Sequence, residues 1–167
     1  MSDPDQLSDD HKAIDVIFDD VFAALEQGNG PRAFEYLDRF WARLAVHIRA
    51  EHLHLFPTLL KAGSDTSIEG VLARLRADHN FFMTELGSLI KQWRSTPNSM
   101  DGPVHSSLLL ETKERLEILR KRLITHNEIE EKQVYPLVES GLSQVDRYDF
   151  SAKIRGELTN MPRRFSE

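Results

Sequence analysis

No cysteine occurs anywhere in the 167 residues. Disulfides, thiolate metal sites, iron–sulfur clusters and thiol catalysis are therefore excluded. Long apolar runs are missing too: no stretch reaches the about 18 residues that mark a membrane-spanning helix. The opening residues, MSDPDQLSDD, are acidic and have no apolar run, so no signal peptide is expected and the cytoplasm is the default location. Positive charge is outnumbered, with 21 Lys and Arg against 27 Asp and Glu and a net charge of −6. That balance argues against nucleic acid or an anionic membrane as the main partner. The short basic pair Arg163–Arg164 reads as part of a solvated tail. Glycine and proline number only 8 and 7. No segment alternates polar and apolar residues between hairpin turns, so a sheet is not expected.

What is present is helical periodicity and clear helix punctuation. Ser8 can cap a first helix whose Ile14, Ile17, Phe18, Val21, Phe22 and Leu25 recur at the 3.6-residue period. Gly28 suits the position just past its end, and Pro31 suits the first turn of the next helix. The second helix carries Leu37, Phe40, Trp41, Leu44, Ile48 and Leu55 on one stripe and closes at Gly63. Thr66 with Glu69 forms a capping box for a third, with Ile68, Leu72, Leu75, Phe82, Leu86, Leu89 and Trp93 inward. After the loop STPNSMDGP, Pro103 starts a fourth helix, with Leu109, Leu116, Leu119 and Leu123 inward, which closes at Gly141. The pattern predicts an all-α chain of one domain, an up-down-up-down four-helix bundle over about residues 7–142. A short accessory helix follows at about 143–158, then a frayed tail at 159–167.

Seven histidines are present, and four of them fall on the inward stripes, one per long helix: His11, His47, His79 and His126. Glu51 and Glu130 stand four residues beyond His47 and His126. Four residues rotate a helix only about 40° from the starting direction, so both carboxylates join the histidines in one core layer. A single core histidine is ordinarily satisfied by a neighbour, and one His-x-x-x-Glu pair arises easily by chance. One His per helix, with a His/Glu pair on alternate helices, does not. Two unpaired buried carboxylates would each cost several kcal/mol or have to bind protons. Metal ions would neutralise the carboxylates and use the imidazole lone pairs.

The chain also repeats itself. DDH (9–11) followed by His47 and Glu51 is echoed by ADH (77–79) followed by His126 and Glu130. Each half gives two His and one Glu, which points to two equivalent metal ions sharing both carboxylates. Imidazole and carboxylate without thiolate suit iron, and less specifically manganese or zinc. The spacing is neither the Glu-x-x-His of ferritin-like proteins nor the His-Glu-x-x-His of zinc proteases. His54, seven after His47, and Asp15, four after His11, are further candidates at the edges of the stripes. His52 points off the stripe, His105 lies about 30 Å along its helix from His126, and both are expected at the surface. Glu131 is expected as a flank charge, and Phe56 and Tyr135 as pocket walls.

His11, His47-x-x-x-Glu51, His79 and His126-x-x-x-Glu130, with the aromatic-Pro pairs Phe56–Pro57 and Tyr135–Pro136, resemble the hemerythrin-like HHE cation-binding family over about residues 7–140. The resemblance implies a non-haem di-iron centre of two iron ions. His11 and His47 would bind one, His79 and His126 the other, and Glu51, Glu130 and an oxo or hydroxo group would bridge them. Oxygen-carrying hemerythrins are similar but add a histidine one turn from the third-helix ligand, where this chain has Leu75 and Met83. Fewer protein ligands leave more open positions, which favours reaction with or binding of peroxide, O2 or NO in oxidative or nitrosative stress. Catalase-like or other oxidoreductase turnover is one form of that reading. A sensor of O2 or NO without turnover is a second, weighed against because no fused output domain is expected. Iron-centre repair or iron handling is a third, although those relatives carry a cysteine-bearing N-terminal region and no cysteine occurs in these 167 residues.

Overall fold

The computed structural model of the protein describes residues 3–63, 66–96 and 102–165, and among them there is no strand. Helix α1 spans Asp3–Glu26 and α2 Gly30–Ala50. A π-helical turn at Glu51–Leu55 leads from α2 into α3, Phe56–Ala62. Helix α4 spans Thr66–Ser95, and α5, Gly102–Ile129, passes through a second π-helical turn at Glu130–Val134 into α6, Pro136–Gly141. Helix α7, Gln144–Leu158, and a 3-10 turn at Arg163–Phe165 follow. Helices α1 and α4 each pack on both α2 and α5 around a common core.

The punctuation works as expected at the first boundary. Gly28 adopts a φ of +69°, its N–H donates to Leu25 O and that of Asn29 to Ala24 O, which satisfies the last carbonyls of α1. Asn29 Oδ1 then accepts from Arg32 N, and Pro31 occupies the first turn of α2. Ser8 does not cap α1, which begins five residues earlier at Asp3; Pro4 sits in the first turn, where its missing N–H leaves no carbonyl unpaired. The Thr66 side chain of the expected capping box and most of the 95–103 loop lie outside the described residues. On α5 it is Leu108 rather than Leu109 that is fully inside, with Leu109 half-buried beside it.

The core divides into two apolar clusters. One holds Phe18, Leu37, Phe40, Phe82, Leu86, Trp93, Leu116 and their neighbours. The other holds Leu7, Leu55, Phe56, Leu72, Leu75, Val134, Tyr135 and the inward face of α7. Each long rod passes from one cluster to the other through a buried histidine: Leu7, His11, Ile14 on α1, and Leu75, His79, Phe82 on α4. The expected accessory helix is α7, capped by Ser143 Oγ, which accepts from Asp146 N. It buries Phe150, Ile154 and Leu158 against the second cluster. The described residues after it, 159–165, are held rather than frayed. Arg49 Nη2 donates to Asn160 O at 2.9 Å, and Arg164 clasps Asp38 through Nε and Nη2 at 3.2 and 3.0 Å. The Arg163–Arg164 pair is thus partly an anchor for the chain end, because Asp38 on α2 faces it.

Candidate metal centre

The structure brings all six expected side chains into one layer between the two clusters, each at most 4% exposed. His11 Nε2 lies 3.1 Å from His47 Nε2, and His79 Nε2 3.0 Å from His126 Nε2. Those separations match neighbouring ligand atoms on one ion with metal–nitrogen bonds of about 2.1 Å. Glu130 spans the two pairs: Oε2 is 3.0 Å from His11 Nε2, and Oε1 is 2.6 Å from His126 Nε2 and 3.4 Å from His79 Nε2. Glu51 Oε1 lies 3.4 Å from both His47 Nε2 and His79 Nε2. Despite these approaches, neither Oε1 accepts a well-aligned hydrogen bond, and both are fully buried. Unsatisfied buried carboxylate oxygens facing imidazole lone pairs fit a cation and fit little else.

Every inward nitrogen is set by a partner on the other side of its ring. His47 Nδ1 donates to Asp10 Oδ2 at 2.8 Å and His126 Nδ1 to Asp78 Oδ2 at 3.1 Å, so each Nε2 keeps its lone pair for the centre. Arg43 in turn pairs with Asp10, and Arg122 Nε donates to Asp78 Oδ1 at 2.7 Å. His11 Nδ1 meets Glu131 Oε1 at 3.0 Å, and His79 Nδ1 meets His52 Nε2 at 2.8 Å. Tyr135 adds a hydroxyl inside the layer. Its O–H lies 2.8 Å from Glu130 Oε2 and 3.1 Å from Glu51 Oε2, and its oxygen lies 3.1 and 3.4 Å from His11 and His47 Nε2.

Without an ion the layer splits its charges. Burial and the charge of Glu130 push the Glu51 carboxyl well above its ordinary value. Burial also works against ionised Glu130, but the close approach of the His11, His126 and His79 ring nitrogens holds it well below. Burial disfavours a charged His11, yet its contacts with Glu130 and Glu131 and the charge of Glu51 outweigh that and raise it to about 9. Burial lowers His47 against the pull of Asp10. Burial, then the charges of Glu130 and Glu51, raise the Tyr135 phenol well above 10, which keeps it a proton donor.

Several expected placements change. His52 is half-buried rather than at the surface: it lies off the inward stripe of its own rod but on the flank that faces α4, where it meets His79 and its ring lies tilted against Phe56. Glu131 reaches His11 in the same manner on the flank facing α1, with its side chain 42% exposed. His105 is buried and its Nε2–H donates to the C-terminal carbonyl of Gly28 at 3.3 Å. His54 does not join the layer and instead lies 3.4 Å from Glu157 of α7. Asp15 is exposed. Leu75 and Met83 pack in the two apolar clusters, one turn either side of His79.

Asp10, Asp78, Arg43 and Arg122 escaped the sequence reading, although their signal is there. An Asp precedes the first His of each half, and an Arg stands four residues before each His-x-x-x-Glu. A family model described as hemerythrin HHE cation binding domain matches residues 3–138. No curated protein and no solved structure is significantly similar to the chain.

Proposed function

Because the chain belongs to the hemerythrin HHE cation-binding family, we propose that its buried layer holds two iron ions, with His11 and His47 on one, His79 and His126 on the other, and Glu51 and Glu130 shared. Manganese or zinc would suit the same donors less specifically. The observation that carries this reading is Glu130, whose two oxygens face opposite histidine pairs while Nε2 of all four imidazoles points inward. The same reading takes the four rods as an up-down-up-down bundle in a single domain.

Two imidazoles per ion and two shared carboxylates leave coordination positions open to a small molecule. Bound iron supplies redox chemistry toward peroxide, O2 or NO. The side chains do the rest. Asp10 and Asp78 hold His47 and His126 in the tautomer whose Nε2 is free. Phe56, Phe82 and the surrounding leucines exclude bulk water from the layer. Tyr135 holds a proton on its phenol oxygen beside both carboxylates, from where it would donate a hydrogen bond to a small molecule held in the layer. The function that follows is turnover or binding of peroxide, O2 or NO by a stress-related protein, with peroxide removal as its concrete form.

Metal analysis of protein from iron-supplemented cells, with oxygen release on adding peroxide, tests this. Two irons per chain and oxygen evolution are expected. Glu130→Ala should lower the iron below two per chain; full loading in that variant would remove Glu130 from the set. A reversible charge-transfer band without oxygen release would assign binding or sensing, and iron loss to a chelator on exposure to peroxide or NO would assign iron handling.

A further inference from the structure

The two halves of the layer are related position by position. Asp10 and His11 correspond to Asp78 and His79, Arg43 to Arg122, His47 to His126, Glu51 to Glu130, and Pro57 to Pro136. Their contacts correspond as well: Asp10 holds His47 as Asp78 holds His126, and each Asp has its Arg. Two corresponding positions differ in chemistry. Glu131 on His11 stands where His52 stands on His79, and Tyr135 stands where Phe56 stands. The two aromatic rings still occupy matching places, Tyr135 5.7 Å from the His11 ring and Phe56 5.9 Å from the His79 ring.

We propose that these two exchanges make the metal positions unequal, so that the His11/His47 position takes the first ion and binds it more tightly than the His79/His126 position. This rests on the two-ion reading above and adds an order to it. A carboxylate accepting from Nδ1–H makes the opposite ring nitrogen a stronger donor to a cation than a neutral imidazole acceptor does. Both Nδ1 groups of the first pair meet carboxylates, Glu131 and Asp10. In the second pair only His126 does, and His79 meets an imidazole.

The surrounding charges act in the same direction. Arg43 offsets one of the two carboxylates beside the first pair. Beside the second pair Arg122 offsets Asp78, and Arg76 lies over the Phe56 ring at 5.4 Å from its centre. Tyr135 further places a polar oxygen within 3.4 Å of both Nε2 atoms of the first pair, where the second pair faces a phenyl ring. Glu131 and His52 are therefore positioning residues: each acts on an ion through the ring it touches.

Titration of the metal-free full-length protein with Co(II) alone, followed by visible absorption and calorimetry, reads this order. Two steps are expected, the first tighter by roughly 10–100-fold, the usual effect of a hydrogen-bond partner on a metal-bound imidazole. Glu131→Gln keeps size and an acceptor oxygen and should weaken the first step while leaving the second. His52→Glu should strengthen the second step until the two merge, a gain that mere loosening of the fold cannot produce. Two ions binding with one affinity would overturn the inference and leave the two-ion reading intact. Two steps insensitive to both variants would overturn the assignment to these residues. Failure of the wild-type chain to bind a second ion would overturn the two-ion reading itself.

Discussion

At the scale of single residues, the layer is a set of buried groups whose ordinary ionisation is mutually incompatible, so burial and neighbouring charge shift them in opposite directions. His11, raised to about 9, carries a proton at neutral pH that a cation must displace. Metal affinity should therefore climb with pH from about 7 and level off above about 9, with proton release measurable by calorimetry in buffers of different ionisation enthalpy. The sign is the reverse for the metal-free fold. A histidine raised in the folded state lends stability below its unfolded value of 6.5, and that contribution is lost as the pH rises through about 9. Tyr135→Phe makes the first half resemble the second at this position. It strips a donor from Glu130 and Glu51, and the metal-free variant should lose about 1–3 kcal/mol in urea unfolding. Its peroxide turnover should fall on the order of 100-fold, because the small molecule loses that hydrogen bond. The six inward groups were legible in the sequence because inward stripes and i, i+4 spacing are properties of one helix. Asp10 and Asp78 were not, because each sits beside one histidine in sequence and serves another on the neighbouring rod.

At the scale of elements, two π-helical turns explain most of what the periodicity misplaced. Phe56 N–H donates to Glu51 O and Tyr135 N–H to Glu130 O at 2.8 Å, each five residues back. In each case a proline follows, and it can donate to no carbonyl at all. In a regular α-helix a residue nine beyond His126 faces about 180° away from it. The wide turn absorbs one residue and swings Tyr135 back over Glu130, so a ring expected in the wall enters the layer. The same shift carries His54 past the centre to Glu157. Helix α7 was visible as an amphipathic segment, but not its seat, which is set by packing on α1, α2 and the first π turn. Ile154 is fully buried there, and Ile154→Ala should cost about 2–5 kcal/mol of stability, read from denaturant midpoints at unchanged slope.

At the scale of the whole molecule, a polar sheet of side chains lies across a core that is mainly apolar on either side. Phe18, Phe40, Leu86 and Trp93 pack on one side of it, and Leu55, Leu72, Val138 and Ile154 on the other. Ions bound there would stabilise the folded state by mass action, so the melting temperature should rise with added Fe(II) or Co(II) and fall on chelation. An unchanged melting temperature across a hundredfold range of metal would mean that the folded chain holds none. The divided interior also bears on how the chain comes apart. In the metal-free protein the two clusters are tied across the seam by the continuous rods and by contacts among groups that compete for protons, so either end of the molecule can loosen with little pull on the other. A pair of cations riveted through that seam would make the two ends melt as one.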